Sequence, residues 1–327
     1  MAAIYPVTGD FNTTPSYSGT FIPTIWSQKL NAKFYRTTLF GEIANTDYQG
    51  EISNVGDKVI INSIPDITVF DYVVGTNLDY EVPVPSTSEL VIDKGKGYAF
   101  KVADVLEYQA KPDLMRMFSD DAAQKMRIHI DSDVLFGTFN QADAANKGAT
   151  AGARSGSYNL GTDTDPIELT PTSILPLITQ LSSVFDEQDV PDSDRALIID
   201  PATRNWLMHS NLAQANLMGD PKSIIRNGLI GSIDRFRVYV SNNTPRAIAG
   251  KAWVPGLGNP TTAADEPGTA NRRTIVAIQK SALTFASQMT KMETLRNPND
   301  FGDLVRGLNV YGYKVLTPKA LALAIVA

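Results

Sequence analysis

The sequence has no cysteine, only two histidines, and no apolar run approaching the roughly 18 residues of a membrane span. Without cysteine there are no disulfides, no thiolate metal sites and no thiol nucleophile, so stability has to come from packing or association. His129 and His209 alone leave a histidine triad or a multi-histidine metal centre without material. Phosphate-cradling loops are missing as well. Gly95-Lys96-Gly97 and Gly256-Leu257-Gly258 lack the third glycine and the Walker lysine arrangement, and neither H-E-x-x-H nor G-x-S-x-G occurs. A paired Asp/Glu glycosidase leaves no compact motif, so that class stays open. Residues Met1 to Asp10 lack the basic and apolar stretches of a secretion signal, which reads as cytosolic. Asn12-Thr13-Thr14 and Asn242-Asn243-Thr244 match the glycosylation pattern but, without such a signal, read as polar loops.

A net charge of -6 and a pI near 5.0 argue against a surface that wraps phosphate backbones with Lys and Arg. The 43% apolar content is close to the globular norm, so a sizeable core can form. At 327 residues, two lobes or one domain with long extensions are both allowed.

From Tyr5 to Thr24 the chain is rich in Thr, Ser, Gly and Pro with scattered aromatics, too irregular for a helix and too apolar for a solvated tail. Ile25, Trp26, Leu30, Phe34 and Tyr35 then recur at helical spacing, fading near Gly41. Residues 51–102 read as β. Val59 to Ile61, Ile67 to Phe70, Leu90 to Ile92 and Tyr98 to Phe100 are short β-prone runs set apart by Pro65, Gly75, Pro83, Pro85 and Gly95. That pattern predicts a long two-stranded excursion, which alone would be marginal in water and so needs another surface.

Phe118, Ala122, Met126, Ile130 and Val134 recur every four residues, predicting one long helix over about 113 to 147, on the order of 50 Å at 1.5 Å per residue. Gly148 to Asp165 reads as a flexible loop and the best boundary. Beyond it come an amphipathic helix at 172–188, a buried strand at Ala196 to Ile199 and a helix started by Asp200-Pro201. Strands follow at Phe236 to Val240, Thr274 to Ile278 and Val305 to Lys314, with a Pro- and Gly-rich loop from Trp253 to Arg273 and a docked terminal segment at Ala320 to Ala327. The class is α+β. Asp131 and Asp133, two apart on a helix, face different ways and are expected to be solvated. Asp163-Thr164-Asp165 lacks the glycine and distal glutamate of an EF-hand loop. His129 is expected to flank the long helix's packing face, and His209 to close the helix containing Trp206.

Several strings together carry a resemblance. Phe21 to Ser27, Ile43 to Tyr48, Gly56 to Val59, Ile64 to Thr68, Ile92 to Lys94, Asp120 to Met126, Ile130 to Leu135, Asp186 to Pro191, Asp234 to Phe236, Ser281 to Ala286 and Arg306 to Val315 are similar to tailed-bacteriophage major capsid proteins of the Hong-Kong-97-like fold. The likeness covers nearly the whole chain, and none of the strings encodes a reaction. It implies an N-terminal arm (1–50), an extended hairpin loop (51–102), a peripheral domain with a spine helix (103–170), an axial domain (171–303), and a return strand with the C-terminus in the peripheral domain (304–327). It further implies a non-enzymatic subunit of hexamers and pentamers, in an icosahedral shell that encloses double-stranded DNA without sequence-specific binding. Cofactors, metals and catalytic residues are not expected. The implied partners are copies of itself, a scaffolding protein, a portal protein and a decoration protein, with no membrane; the implied location is the virion, after assembly in the host cytoplasm. Phe21, Trp26, Phe70, Tyr72 and Tyr80 are the expected contact residues, because large aromatics in irregular or hairpin segments need a partner surface. An encapsulin-type compartment and, further off, a β-rich carbohydrate-active enzyme are the alternatives.

Overall fold

The structure, a computed structural model, describes residues 38–47, 58–62, 64–65, 67–71, 75, 80–85, 87–103, 114–162, 165–210, 231–247, 272–298 and 300–327. The expected helix at Ile25 to Tyr35 and the loop from Trp253 through residue 271 lie outside them. Among the described residues no helix is long and apolar enough to cross a membrane.

Three sheets carry the fold among the described residues. Strands β1 (Lys58–Asn62) and β2 (Thr87–Val91) pair antiparallel as a separate hairpin, Lys58 opposite Val91. Strand β3 (Lys94–Ala103) leaves that hairpin and pairs with β10 (Gly302–Val315), whose other edge takes β9 (Leu283–Arg296). The third sheet runs β11 (Leu321–Val326), β8 (Arg272–Gln279), β4 (Arg195–Ile199), β6 (Phe236–Val240), β5 (Ser232–Ile233), with β7 (Arg246–Ala247) also on β8; only β4 and β6 pair parallel.

These pairings cut across the expected segment boundaries. Tyr98 to Phe100 belongs to the three-stranded sheet and not to the excursion, and Ile67 to Phe70 is in no strand. Strand β9, expected with the axial segment, pairs with β10; β11, expected with the peripheral segment, pairs with β8. The chain thus crosses between the two larger sheets three times, between β3 and β4, at Lys280–Ala282, and again between β10 and β11.

Short helix α1 spans Phe40–Ile43, and the long helix α2 spans Leu114–Thr138. The 25 residues of α2 correspond to about 37 Å, shorter than expected. The apolar ridge does continue past Thr138, but as 3-10 turns at Phe139–Gln141 and Ala144–Asn146, the second capped by Asp143 accepting from Ala145 N. Ile130, Val134 and Leu135 are buried, whereas Phe118 in the first half is 47% exposed.

From Gly148 to Thr162 the chain is held by backbone hydrogen bonds, among them Leu160 N to Gly148 O at 2.8 Å, and is not a loose linker. Ala151 and Leu160 are fully buried, and the outer edge of β11 finds its partners here: Ile325 N donates to Leu160 O at 2.8 Å, Ile167 N to Ile325 O at 3.0 Å. An unpaired buried strand edge would leave such groups unsatisfied.

Helix α3 (Ile174–Glu187) buries Ile174, Leu177, Ile178, Leu181, Val184 and Phe185, each worth about 1.5–3 kcal/mol relative to exposure. It stops at a Schellman turn. Asp189 takes a left-handed φ of 56°, and Val190 N donates to Phe185 O at 3.0 Å. Helix α4 (Pro201–Met208) starts as its residues require, with Asp200 accepting from Thr203 N at 2.8 Å and proline in the first turn.

Candidate contact surface

The hairpin is rooted, and apolar residues described in its far part are bare. Val59 and Ile61 pack on the buried Leu90, Ile92 and Ala286, beside Val310 of β10, while Lys58 pairs with Glu89 at 3.3 Å on the open face. The root sits tight: a side chain at Gly312 would overlap the Val91 carbonyl oxygen. Opposite this point β10 and β9 slip register between Val310 and Tyr311, a bulge that bends the ladder where the hairpin leaves it.

Past Asn62 the strand pairing ends, and Thr68 N donating to Glu81 Oε2 at 3.0 Å links the two arms. Ile64 (94% exposed), Val69 (93%), Phe70 (57%), Tyr80 (87%), Val82 and Val84 all face solvent. Leaving six such side chains in water forgoes on the order of 10 kcal/mol of burial, an arrangement that marks an interaction surface. The segment 63–86 also contains Asp66, Asp71, Asp79 and Glu81 and neither Lys nor Arg.

Of the expected contact residues, Phe70 and Tyr80 lie on this bare surface; Phe21, Trp26 and Tyr72 lie outside the described residues. Ile64, Val82 and Val84 were legible by the same logic, as apolar residues in proline-bounded chain with neither helical nor strand periodicity, and Val69 as part of a β-prone run with no helix nearby.

A second surface lies between β3 and the first half of α2. There a groove of about 610 Å³ is lined by Tyr98, Phe100, Phe118 and Met126, with Lys96 and Lys125 contributing charge. Phe100 and Phe118 meet edge to face at 5.9 Å, and the Tyr98 ring covers Gly307, which has no room for a side chain. Lys125 is paired to Asp121 at 3.1 Å. His129, half-buried, lines the same groove on the flank of α2.

Asp131 and Asp133 do point to different faces of α2, but neither is solvated. Asp131 is fully buried: Oδ1 accepts from Leu39 N (2.7 Å) and Phe40 N (2.8 Å), Oδ2 from Asn243 Nδ2 (2.7 Å). Burial pushes its pKa up, against the opposing pull of those three donors. Asp133 Oδ2 accepts from Lys94 Nζ (3.1 Å) and the Tyr311 hydroxyl (3.0 Å), while the Tyr313 hydroxyl accepts from Lys94 Nζ (2.6 Å) and donates to Asp133 O (2.9 Å). Burial alone would lower the Lys94 pKa, but the hydrogen bonds to Tyr313 and Asp133 hold it above the usual lysine value. Burial, then the neighbouring Asp133 carboxylate, pushes Tyr311 far up. The expectation missed these because helical spacing says where a residue points and not what covers it.

His209 closes α4, its Nδ1 donating to Asn205 O at 2.8 Å, the only role a carbonyl partner permits. Among the described residues no three His, Asp or Glu side chains gather as metal ligands; Asp163 and Thr164 lie outside them and Asp165 is exposed.

A family model described as phage capsid protein matches residues 86–324. Among solved structures, a chain from Mycobacterium phage Che8 is 24% identical with a TM-score of 0.70, covering 94% of this chain and 98% of that one. A chain from the capsid structure of the cyanophage P-SCSP1u is 17% identical, TM-score 0.66, covering 98% and 97%. One from the mature capsid of bacteriophage PhiM1 is 14% identical, TM-score 0.61, covering 93% and 91%. These identities speak for a shared fold. No curated protein matches.

Proposed function

The chain belongs to the phage capsid protein family, and from that premise we propose that it is the major capsid protein of a tailed bacteriophage, assembling with its own copies into hexamers and pentamers of an icosahedral shell around double-stranded DNA. The observation that carries the reading is the bare apolar surface of the hairpin, too costly for a monomer and suited to a neighbour. In this reading the hairpin is the extended loop and α2 the spine helix. The three-stranded sheet forms the peripheral domain, and the six-stranded sheet the axial domain facing the capsomer centre.

Affinity comes from modest contacts repeated many times, so that each remains reversible while the shell holds. The acidic, lysine-free segment 63–86 with its bare apolar side chains meets, on another copy, a groove of Tyr98, Phe100, Phe118 and Met126 whose edge carries Lys96. The acidic chain confines DNA by enclosure rather than by neutralising phosphates. No reaction is assigned to it. A scaffolding protein, a portal protein and a decoration protein complete the partners, with assembly in the host cytoplasm. The family match favours this over an encapsulin-type compartment. A carbohydrate-active enzyme needs two free acids in a cleft, whereas Asp131 and Asp133 are both engaged.

The double substitution Phe70→Asp and Tyr80→Asp tests the reading. It leaves the single subunit's unfolding midpoint unchanged, because both residues are exposed there, and abolishes shells in electron micrographs. Normal shells from the double variant would remove the hairpin from the contact surface.

A further inference from the structure

The two larger sheets are joined covalently at the crossings between β8 and β9 and between β10 and β11, where Leu316 N donates to Ala282 O at 2.8 Å. Beside these and the covalent run from β3 through α2 to β4, a further connection is not covalent. The turn after β6 belongs to the six-stranded sheet: Ser241 N donates to Ile199 O at 3.0 Å, and Thr274 Oγ1 to Pro245 O at 2.7 Å. From that turn Asn243 Nδ2 reaches Asp131 Oδ2 on α2, the helix that packs on the three-stranded sheet.

The other oxygen of the same carboxylate holds the backbone of Leu39 and Phe40, from which the chain runs on to β9. There Asn45 N donates to Leu283 O at 2.7 Å, Phe285 N donates to Asn45 O at 2.9 Å, and the Phe40 ring lies 4.9 Å from that of Phe285. One fully buried side chain therefore ties to its own helix two segments, 92 and 112 residues from it in sequence. An apolar residue of similar size would fill the volume but leave three donors stranded, so the role is specific to an acceptor with two ends.

We propose that Asp131 is a positioning residue for assembly, a latch that fixes the turn after β6 and the segment 38–47 to α2, and so sets the direction from which the preceding chain enters the subunit. The latch is a property of the single chain; its part in assembly rests on the capsid reading.

Hydrogen exchange on the purified full chain, followed by electron microscopy, tests it with Asp131→Ala, Asp131→Asn and Asn243→Ala. With alanine at 131, exchange over 38–47 and 241–245 rises about tenfold or more while β4 and β8 keep their protection. Asparagine at 131 retains most of the protection over 38–47, since its oxygen still accepts from Leu39 and Phe40. Asn243→Ala loosens 241–245, leaves 38–47 protected, and gives shells of mixed size. Unchanged exchange over 38–47 with alanine at 131, or a loss spread evenly into β4 and β8, would overturn the latch. If the alanine variant does not fold, asparagine decides: protection lost as in an unfolded chain refutes the proposal. Uniform shells from Asn243→Ala overturn the role in assembly, and a wild-type chain that never assembles refutes the capsid reading while the exchange data still judge the latch.

Discussion

Replacing Gly312 with alanine should loosen the hairpin at its root while sparing the rest of the fold. The added methyl would overlap the Val91 carbonyl oxygen and lie 3.0 Å from Ile92 Cα, and both are backbone, which cannot rotate aside as a side chain could. Relief needs a shift of roughly 1 Å in the β2 to β3 junction, in an interior packed too densely to absorb it for free. Overpacking of this kind costs about 1–3 kcal/mol. If the root lifts away altogether, the burial of Leu90 and Ile92 goes too, at about 1.5–3 kcal/mol each, so the hairpin would detach before the body unfolds. Urea denaturation reads the total, and hydrogen exchange over 58–62 and 87–92 reads its location. Gly95→Ala is the control, with nothing within 4 Å of the new carbon. Wild-type stability and wild-type protection of the hairpin in Gly312→Ala would refute this account of how the hairpin is held.

Gly137→Ala should lower stability by about 1–2 kcal/mol even though alanine normally favours a helix, because the methyl would lie 2.7 Å from ring carbons of Tyr313 and displace its bonds to Lys94 and Asp133. A raised thermal midpoint would contradict it. Asp131 predicts a particular pH dependence. Its folded pKa lies above the 3.8 of the free group, so between those values the native state binds more protons than the unfolded one, and stability falls as pH rises through that window and is flat above it. Asp300, Glu187 and Glu293 are shifted down and act oppositely, their stabilisation being lost as pH falls. Subtracting the curve of Asp131→Asn from wild type, between about pH 3 and pH 7, isolates the Asp131 contribution; a flat difference would contradict the assignment.

Local chemistry made much of this fold legible. Asp200-Pro201 starts a helix because a carboxylate caps it and proline needs no donor there, and Ala196 to Ile199 is a buried strand because nothing polar interrupts it. The paired arms of the hairpin and the bare aromatics Phe70 and Tyr80 follow from β-prone runs with no partner helix nearby. What escaped was set by distant partners. The Gly148 to Asp165 stretch has a loop's composition, yet Leu160 within it is bound to the edge of β11, well over a hundred residues away. The assignment of β9 and β11 to different sheets depends on which edge each strand finds, and periodicity carries no trace of it. Asp131 escaped for the same reason, its donors coming from Leu39, Phe40 and Asn243.

The central claim is that this chain is a shell subunit, and negative-stain electron microscopy combined with light scattering tests it most directly, on purified protein expressed with and without a neighbouring scaffolding gene. Closed shells or capsomer rings are the predicted result. A stable monomer near 35.5 kDa under every condition would contradict it.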